Sequence, residues 1–365
     1  MTPPSPSDGL RWPLADADEA GALFPDERRS TRHVGTGEYR GLEFLHVNAR
    51  KIINSVPGAS LPFRYTINAY RGCSHACTYC FARPTHEYLG LGVGTDFETK
   101  IVVKINAVER LKAELAAPTW QGETIAMGTN TDPYQSAEGK YHLTQGIIRT
   151  LSDAANPFSI LTKSTLVLRD LALLVTAAER TDVRLDMSIG TLDREVWRLT
   201  EPGTPPPERR IDAVRRLNEA GVACGVLVAP VLPGLSDGDD QVRSVVTACL
   251  DAGAVSVAAV PLHLRPGVKN HYLGWLATAR PDLVARHERL FARGAYQPEK
   301  ERSRIARLAS SVMKDRSDPN GAKPGERQWR IPVGFDQHEK RDGSDQDARG
   351  GEQVGGVSVQ LRLMR

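Results

Sequence analysis

The sequence predicts an α/β protein built on a parallel sheet, and three observations carry the prediction. Six short strand-like runs alternate with helical patterns through the centre of the 365-residue chain. Several runs are rich in β-branched residues, as strands buried on both faces tend to be. A cluster of cysteines follows the first run directly, and parallel β/α folds gather their functional residues at the C-terminal ends of strands.

Taken in order, residues 1–35 open with MTPPSPSDG, stay Pro-rich and polar, and read as a flexible, disordered tail. Residues 36–62 read as an N-terminal extension packed on the body. The strand runs lie at 65–70, 124–129, 158–163, 183–189, 223–231 and 255–262. Helices are expected between them. In 241–251, Val242, Val245, Val246, Cys249 and Leu250 repeat on one helical face, and Gly253 supplies the stop. In 210–220, Ile211, Val214 and Leu217 recur every third residue, and Gly221 follows. Six β–α units in a row imply a parallel sheet with right-handed crossovers, spanning 63–295. Residues 296–365 form a second flexible extension, partly disordered, with Trp329 and Ile331 as a docking patch and an apolar alternation over 354–363.

Composition narrows the function classes. Hydrophobic residues make up 40% and charged residues 25%, which excludes wholesale disorder. Lys plus Arg number 47 against 44 Asp plus Glu, so the net charge of +3 does not by itself point to nucleic acid or a membrane. The best apolar stretch, 221–235, is short and holds Pro230 and Pro233, so no membrane partner is expected. The N-terminus lacks a basic start followed by an apolar core, and a cytoplasmic location is expected. Five cysteines make no disulfide scaffold, and three of them fall between Cys73 and Cys80. That clustering reads as a metal or cluster site in a reducing compartment.

The segment Arg71-Gly72-Cys73-Ser74-His75-Ala76-Cys77-Thr78-Tyr79-Cys80 has C-x3-C-x2-C spacing. Three thiolates on one compact loop can hold three corners of a [4Fe–4S] cluster and leave one iron open. Zinc is the alternative and needs a fourth protein ligand, for which His75 is the candidate. No second cysteine pair follows, and His75 lies between two ligating positions. Cys249 falls on an apolar helix face and reads as a buried thiol; Cys224 starts a strand and reads as core, with the barrel interior as the alternative.

These residues resemble the radical S-adenosylmethionine (radical SAM) enzymes, and within them the group related to spore photoproduct lyase. The closer likeness rests on Asn68-Ala69-Tyr70-Arg71-Gly72-Cys73, with support from Asn130-Thr131-Asp132-Pro133-Tyr134-Gln135, Thr162-Lys163-Ser164 and Ala229-Pro230-Val231-Leu232-Pro233-Gly234. It covers residues 60–295. The resemblance implies a partial (β/α)6 barrel with the cluster near its mouth. It implies two cofactors, a [4Fe–4S] cluster and S-adenosylmethionine, and a one-electron reductant such as flavodoxin or ferredoxin. It implies Cys73, Cys77 and Cys80 as cluster ligands, with Tyr79 beside them and in contact with the cofactor's adenine. Asn130 and Asp132 stand where the family often has a Gly-Gly-Glu segment for the cofactor's amino group, which this chain lacks. Lys163 resembles a lysine that pairs with the cofactor carboxylate. Ser188, with Thr191 nearby, resembles a hydroxyl that bonds the cofactor, and residues 228–230 border the adenine.

The substrate is not identified by the resemblance; nucleic acid is one class it allows. In spore photoproduct lyase an extra cysteine, shortly after the cluster motif, donates a hydrogen atom. Here no cysteine lies between Phe81 and Pro157, and Tyr134, Tyr141 and Cys224 are the other candidate donors. A radical SAM enzyme of unassigned substrate is the first reading, a spore photoproduct lyase-like DNA-repair enzyme the second, and a non-catalytic electron carrier or cluster-bound regulatory module the third. The Pro-rich stretch from Glu201 to Pro207 reads as a stiff loop rather than a ligand site. Arg209 and Arg210 open the next helix, within reach of a carboxylate or phosphate, or as solvated charge.

Overall fold

The computed structural model describes residues 31–56, 61 and 63–316. Its strands in chain order are β1 (Thr31–Val34), β2 (Glu43–Val47), β3 (Ile53–Ser55), β4 (Tyr65–Ile67), β5 (Tyr70–Arg71), β6 (Lys100–Lys104), β7 (Ile125–Met127), β8 (Phe158–Thr162), β9 (Val183–Ser188), β10 (Cys224–Val231) and β11 (Val257–Pro261). They form two sheets. The larger has the order β11-β10-β9-β8-β7-β4-β3. Six of its strands, β4 and β7 to β11, run parallel in sequence order, and β3 joins the β4 edge antiparallel. Among the described residues β3 and β11 lie at opposite edges without pairing, so the barrel is partial, as expected.

The six predicted strands are all present. The first run splits: β4 stays in the main sheet, while β5 leaves it to pair with β6. The smaller sheet, β1-β2-β6-β5, is an addition to the sequence reading. Its strand β6 escapes a period-based reading because Ile101, Val102 and Val103 form a run of only three apolar residues between Lys100 and Lys104. The tail expected over 1–35 has residues 1–30 outside the described residues, whereas Thr31–Val34 pairs antiparallel with β2. The second extension begins with an ordered helix, Glu299–Arg316, packed on β11 and on helix Asp239–Asp251. Trp329, Ile331 and residues 354–363 lie outside the described residues.

Alternation along β9 explains how the body orients its chemistry. Val183, Leu185 and Met187 are buried in the main core with Ala213, Val214 and Leu217 of helix Pro207–Glu219. Arg184, Asp186 and Ser188 therefore project to the other face. Register places Ser159 of β8 beside Arg184 and Leu161 beside Asp186, so Lys163 follows beside Ser188. Fully burying each large apolar side chain contributes roughly 1.5–3 kcal/mol, so this apolar face holds the strand and the polar face is left for function.

Candidate functional site

The cysteine loop leaves β5 through Gly72, whose φ of +81° suits glycine. A Cβ there would sit 2.8 Å from the His86 ring and 2.9 Å from Phe97 O. Arg83, fully buried, then ties the loop from within. Its guanidinium donates to Cys77 O (2.8 and 3.0 Å), Ala76 O (3.2 Å), Val93 O (2.9 Å) and Gly94 O (3.3 Å), and pairs with Glu98 at 2.6 Å. From the β7 side, Gln135 bridges Gly72 O and the Ser74 N–H, at 2.9 and 3.1 Å. From the β9 side, Thr78 N–H donates to Thr200 O and Gly203 N–H to His75 O. A Cβ on Gly203 would lie 2.1 Å from Ser74 O, so two backbones pack directly together there.

Cys73 and Cys77 are buried and Cys80 is partly exposed. Burial raises the Cys77 thiol well above its usual value, and pushes Cys80 to about 11, with the Cys73 charge adding to that rise. Such thiols ionise when a metal supplies the compensating charge. The donor set fits an iron–sulfur cluster: three soft sulfurs round one loop, Lys163 and Arg83 close enough to favour thiolates, and a buried Thr78 Oγ1 without a hydrogen-bond partner. His75 does not fit the zinc alternative. Its Nδ1 is turned to the Asp132 carboxylate at 3.3 Å; burial lowers its pKa, but Asp132 and then Cys73 outweigh that and raise it to about 10.

Asp132 has its oxygens occupied. They accept from Tyr134 N–H (2.9 Å), Thr162 Oγ1 (2.7 Å) and Lys163 N–H (2.7 Å), besides His75. Burial would raise its pKa; His75 and these donors keep it lowered. It therefore pins the end of β8 to the cysteine loop. Asn130 is half-buried, and its N–H donates to Asn68 Oδ1 at 3.2 Å.

Lys163 gathers the centre. Its ammonium donates to Ser188 Oγ (2.8 Å), Glu201 Oε1 (3.0 Å) and Ala229 O (3.1 Å), and lies 5.5 Å from the Tyr79 ring centroid. Ser188 Oγ also donates to Ala229 O at 2.8 Å. Glu201 is the residue the sequence reading placed in an inert loop, and the structure corrects that. Its Oε1 accepts from Tyr79 and Lys163; its Oε2 accepts from Arg210 at 2.5 Å and Thr204 at 3.3 Å. Burial would raise its pKa, but Arg210, then Lys163 and Tyr79, hold it at about 2. Arg210 thus reaches a carboxylate, and also donates to Ser188 O at 2.9 Å. Thr191 Oγ1 accepts from Asp193 N–H at the start of the next helix.

The other candidate hydrogen donors lie elsewhere. Tyr134 is buried and donates to Asp170, and Tyr141 meets His46 at 2.7 Å. Cys224 begins β10, paired with Leu185, whereas Lys163 reaches Ala229 five residues on, about 16 Å along a strand. Cys224 and Cys249 are both fully buried in the main core, as expected for structural thiols.

The outer rim is aromatic and cationic. Phe81, next to Cys80, is 46% exposed, with the Arg265 guanidinium 6.0 Å from its ring. Two residues back, His263 stacks on Tyr296 at 4.3 Å, and Arg302 lies over Tyr296. Leu262 and Leu264, on either side of His263, turn inward and pack with Cys77 and Tyr79.

Comparison with known proteins follows the same lines. A family model described as the Radical SAM superfamily matches residues 67–244. An uncharacterised protein of Mycobacterium tuberculosis strain H37Rv is 45% identical over 306 residues, 83% of this chain and 90% of the relative. One from Methanocaldococcus jannaschii is 32% identical over 198 residues, 54% of this chain and 70% of the relative. Among solved structures, a spore photoproduct lyase mutant with bound AdoMet and dinucleoside spore photoproduct shares the fold. Its TM-score is 0.55 at 18% identity, covering 74% of this chain and 79% of that one.

Proposed function

The chain belongs to the radical SAM superfamily, and on that premise we propose that it reductively cleaves S-adenosylmethionine at a [4Fe–4S] cluster, producing a 5′-deoxyadenosyl radical that takes a hydrogen atom from a substrate. The observation that carries this reading is the convergence of Lys163, Ser188 and Tyr79 beside the cysteine loop. Cys73, Cys77 and Cys80 hold the cluster, which leaves one iron for the cofactor. Lys163 offers its ammonium to the cofactor carboxylate, and Ser188 and Asn130 offer hydrogen bonds. Asp132 sets the Lys163 backbone, and Arg83 sets the cysteine loop. Leu232, Leu262 and Leu264 keep the inner wall apolar, which excludes water from a reactive radical. A one-electron donor such as flavodoxin or ferredoxin completes the system in the cytoplasm.

A second reading, a DNA-repair enzyme like spore photoproduct lyase, is favoured by one observation, the rim where the exposed rings of Phe81 and Tyr296 meet the half-buried Arg265 and Arg302. Aromatic faces flanked by guanidinium groups suit stacked bases and phosphates. No thiol between residues 81 and 157 supplies the hydrogen donor that enzyme uses, so repair here needs another donor. The deciding experiment is anaerobic reconstitution with iron and sulfide, then reduction with S-adenosylmethionine present. Formation of 5′-deoxyadenosine, lost in Cys77→Ala, supports the proposal; a stable cluster with neither cleavage nor cofactor binding favours a carrier or regulatory module.

A further inference from the structure

Away from the cysteine loop, one helix face is fastened to the chain that leaves β2. Asn106, Arg110 and Glu114 stand four residues apart, at the start and along the length of helix Ala107–Leu115, and so share a face. Asn106 clamps the N–H and the carbonyl of Ala49, at 2.8 and 3.0 Å. Glu114 accepts from Ile52 N–H with one oxygen and from Ile53 N–H with the other, at 2.8 and 3.0 Å. Arg110, between them, donates from Nη2 to Arg50 O at 2.7 Å. Its Nε is buried and, among the described residues, has no hydrogen-bond partner. A cavity of about 430 Å³ opens there, lined by Asn48, Ala49, Arg50, Asn106 and Arg110. The cysteine loop lies at the other end of β6: a Cβ on Gly72 would sit 3.0 Å from the carbonyl of Lys100, where the strand starts. The cavity lies past Lys104, where it ends, about 13 Å further along.

Open α/β sheets bind ligands in crevices outside the carboxyl ends of parallel strands, where the connections diverge. β2 and β6 are parallel neighbours, and the cavity lies just outside their carboxyl ends. The chain from β2 passes to β3 in the larger sheet, whereas the chain from β6 enters the helix. The lining sets the charge of the ligand. It holds two guanidinium groups and no carboxylate; Glu109 is exposed, Glu114 is turned to backbone N–H groups, and neither lines the cavity. We propose that this cavity is a second binding site, which takes a small organic phosphate by its phosphate group, held by Arg110 and Arg50. A phosphate monoester carries up to about two negative charges near neutral pH, which two guanidinium groups balance; a carboxylate would balance only one. The planar fork of arginine also matches phosphate oxygens in pairs. The volume exceeds the need of a phosphate alone and falls within the roughly 300–1,000 Å³ of small-molecule sites, so an organic remainder fits beside it. Ile105, next to Asn106, is 44% exposed and offers that remainder an apolar surface. The Asn106 and Glu114 clamps hold the loop in shape beforehand, which lowers the ordering cost of binding. This site is independent of the cofactor reading above.

The test is calorimetric titration of the full chain at about 0.15 M salt, where weak surface attraction is screened. The probes are ribose 5-phosphate, ribose, inorganic phosphate and a thymidine oligonucleotide without a terminal phosphate. Ribose 5-phosphate should bind with a Kd below about 1 mM, inorganic phosphate should compete with it, and ribose should not bind. Arg110→Gln should weaken ribose 5-phosphate by about tenfold or more, as expected for lost charge-assisted hydrogen bonds. Arg110→Lys keeps the charge without the fork and should weaken it less. Arg50→Gln changes an exposed side chain, should weaken binding likewise, and carries the test if Arg110→Gln does not fold. Arg215→Gln, at an exposed position on helix Pro207–Glu219, should leave binding unchanged. The proposal is overturned if neither phosphate binds, if binding keeps full strength in both Arg110→Gln and Arg50→Gln, or if Arg215→Gln weakens it as much. Oligonucleotide binding that Arg110→Gln weakens, with no binding of ribose 5-phosphate, also overturns it and gives the site to a polymer backbone.

Discussion

Replacing Arg83 by methionine removes the internal tie of the cysteine loop while keeping a long apolar stem. Arg83 is fully buried, and four carbonyls accept from its guanidinium: Ala76, Cys77, Val93 and Gly94. The Cys77 carbonyl takes two of the bonds in a buried position and keeps only the Cys80 N–H at 3.2 Å without them, so losing its charge-assisted bonds costs about 1.5–3 kcal/mol. The other three belong to half-buried residues that water can partly reach, so each loses less. Glu98 is 29% exposed, so solvent screens the lost pair and it adds about 0–1 kcal/mol. The whole comes to about 3–5 kcal/mol, the range for breaking a buried charged contact. That is a large share of a typical stability of about 5–15 kcal/mol. Chemical denaturation of the cluster-free protein measures the loss, and iron and sulfide per chain after reconstitution measure its consequence for the loop. Arg83→Lys keeps the charge but not the planar fork, and should lose roughly half as much. An Arg83→Met protein within about 1 kcal/mol of wild type that also loads a full cluster refutes the reasoning.

Further outcomes follow from the same geometry. Alanine at Cys73, Cys77 or Cys80 should abolish the cluster chromophore, while Cys249→Ala, in the main core, should retain it; absorbance after reconstitution decides, and the reverse pattern overturns the ligand assignment. Lys163→Ala should leave iron content intact and weaken S-adenosylmethionine binding by about tenfold or more, measured by equilibrium dialysis. His86 is buried, and burial lowers its pKa to about 4, with the Lys100 carbonyl opposing. A depressed histidine is neutral when folded and takes up a proton on unfolding, so stability should fall as pH drops from about 6.5 towards 4, by up to about 3 kcal/mol. His86→Leu should flatten that window in denaturation curves taken across pH; an identical slope would remove His86 as the cause.

Much of the frame was legible because it follows from period and punctuation. The six parallel strands, the helix stops at Gly221 and Gly253, and the buried Cys249 all sit where local pattern placed them. Lys163 and Ser188 were legible through strand-end position and resemblance, and register brings them together. Residues defined by long-range contact were not. Glu201 stands beside Pro202 and Gly203, which read as a turn, and only the close approach of Gly203 to Ser74 carries its carboxylate to the mouth. Arg83 follows the last cysteine as an ordinary charge, and its burial depends on carbonyls up to eleven residues away. Asp132 stands out in the sequence by its acidity, but its four partners make it a tie rather than a free ligand. One available signal was a paired one: an acidic residue and, nine positions on, an arginine opening a helix, joined across a Pro-rich turn too stiff to separate them.

The most direct test of the central claim is the electron paramagnetic resonance spectrum of the reconstituted, reduced protein before and after S-adenosylmethionine is added. The account predicts a reduced four-iron signal that changes shape with the cofactor, and a weakened response in Lys163→Ala. A signal indifferent to the cofactor in the wild type would contradict it, because the open iron and the Lys163 pocket would then not form one site.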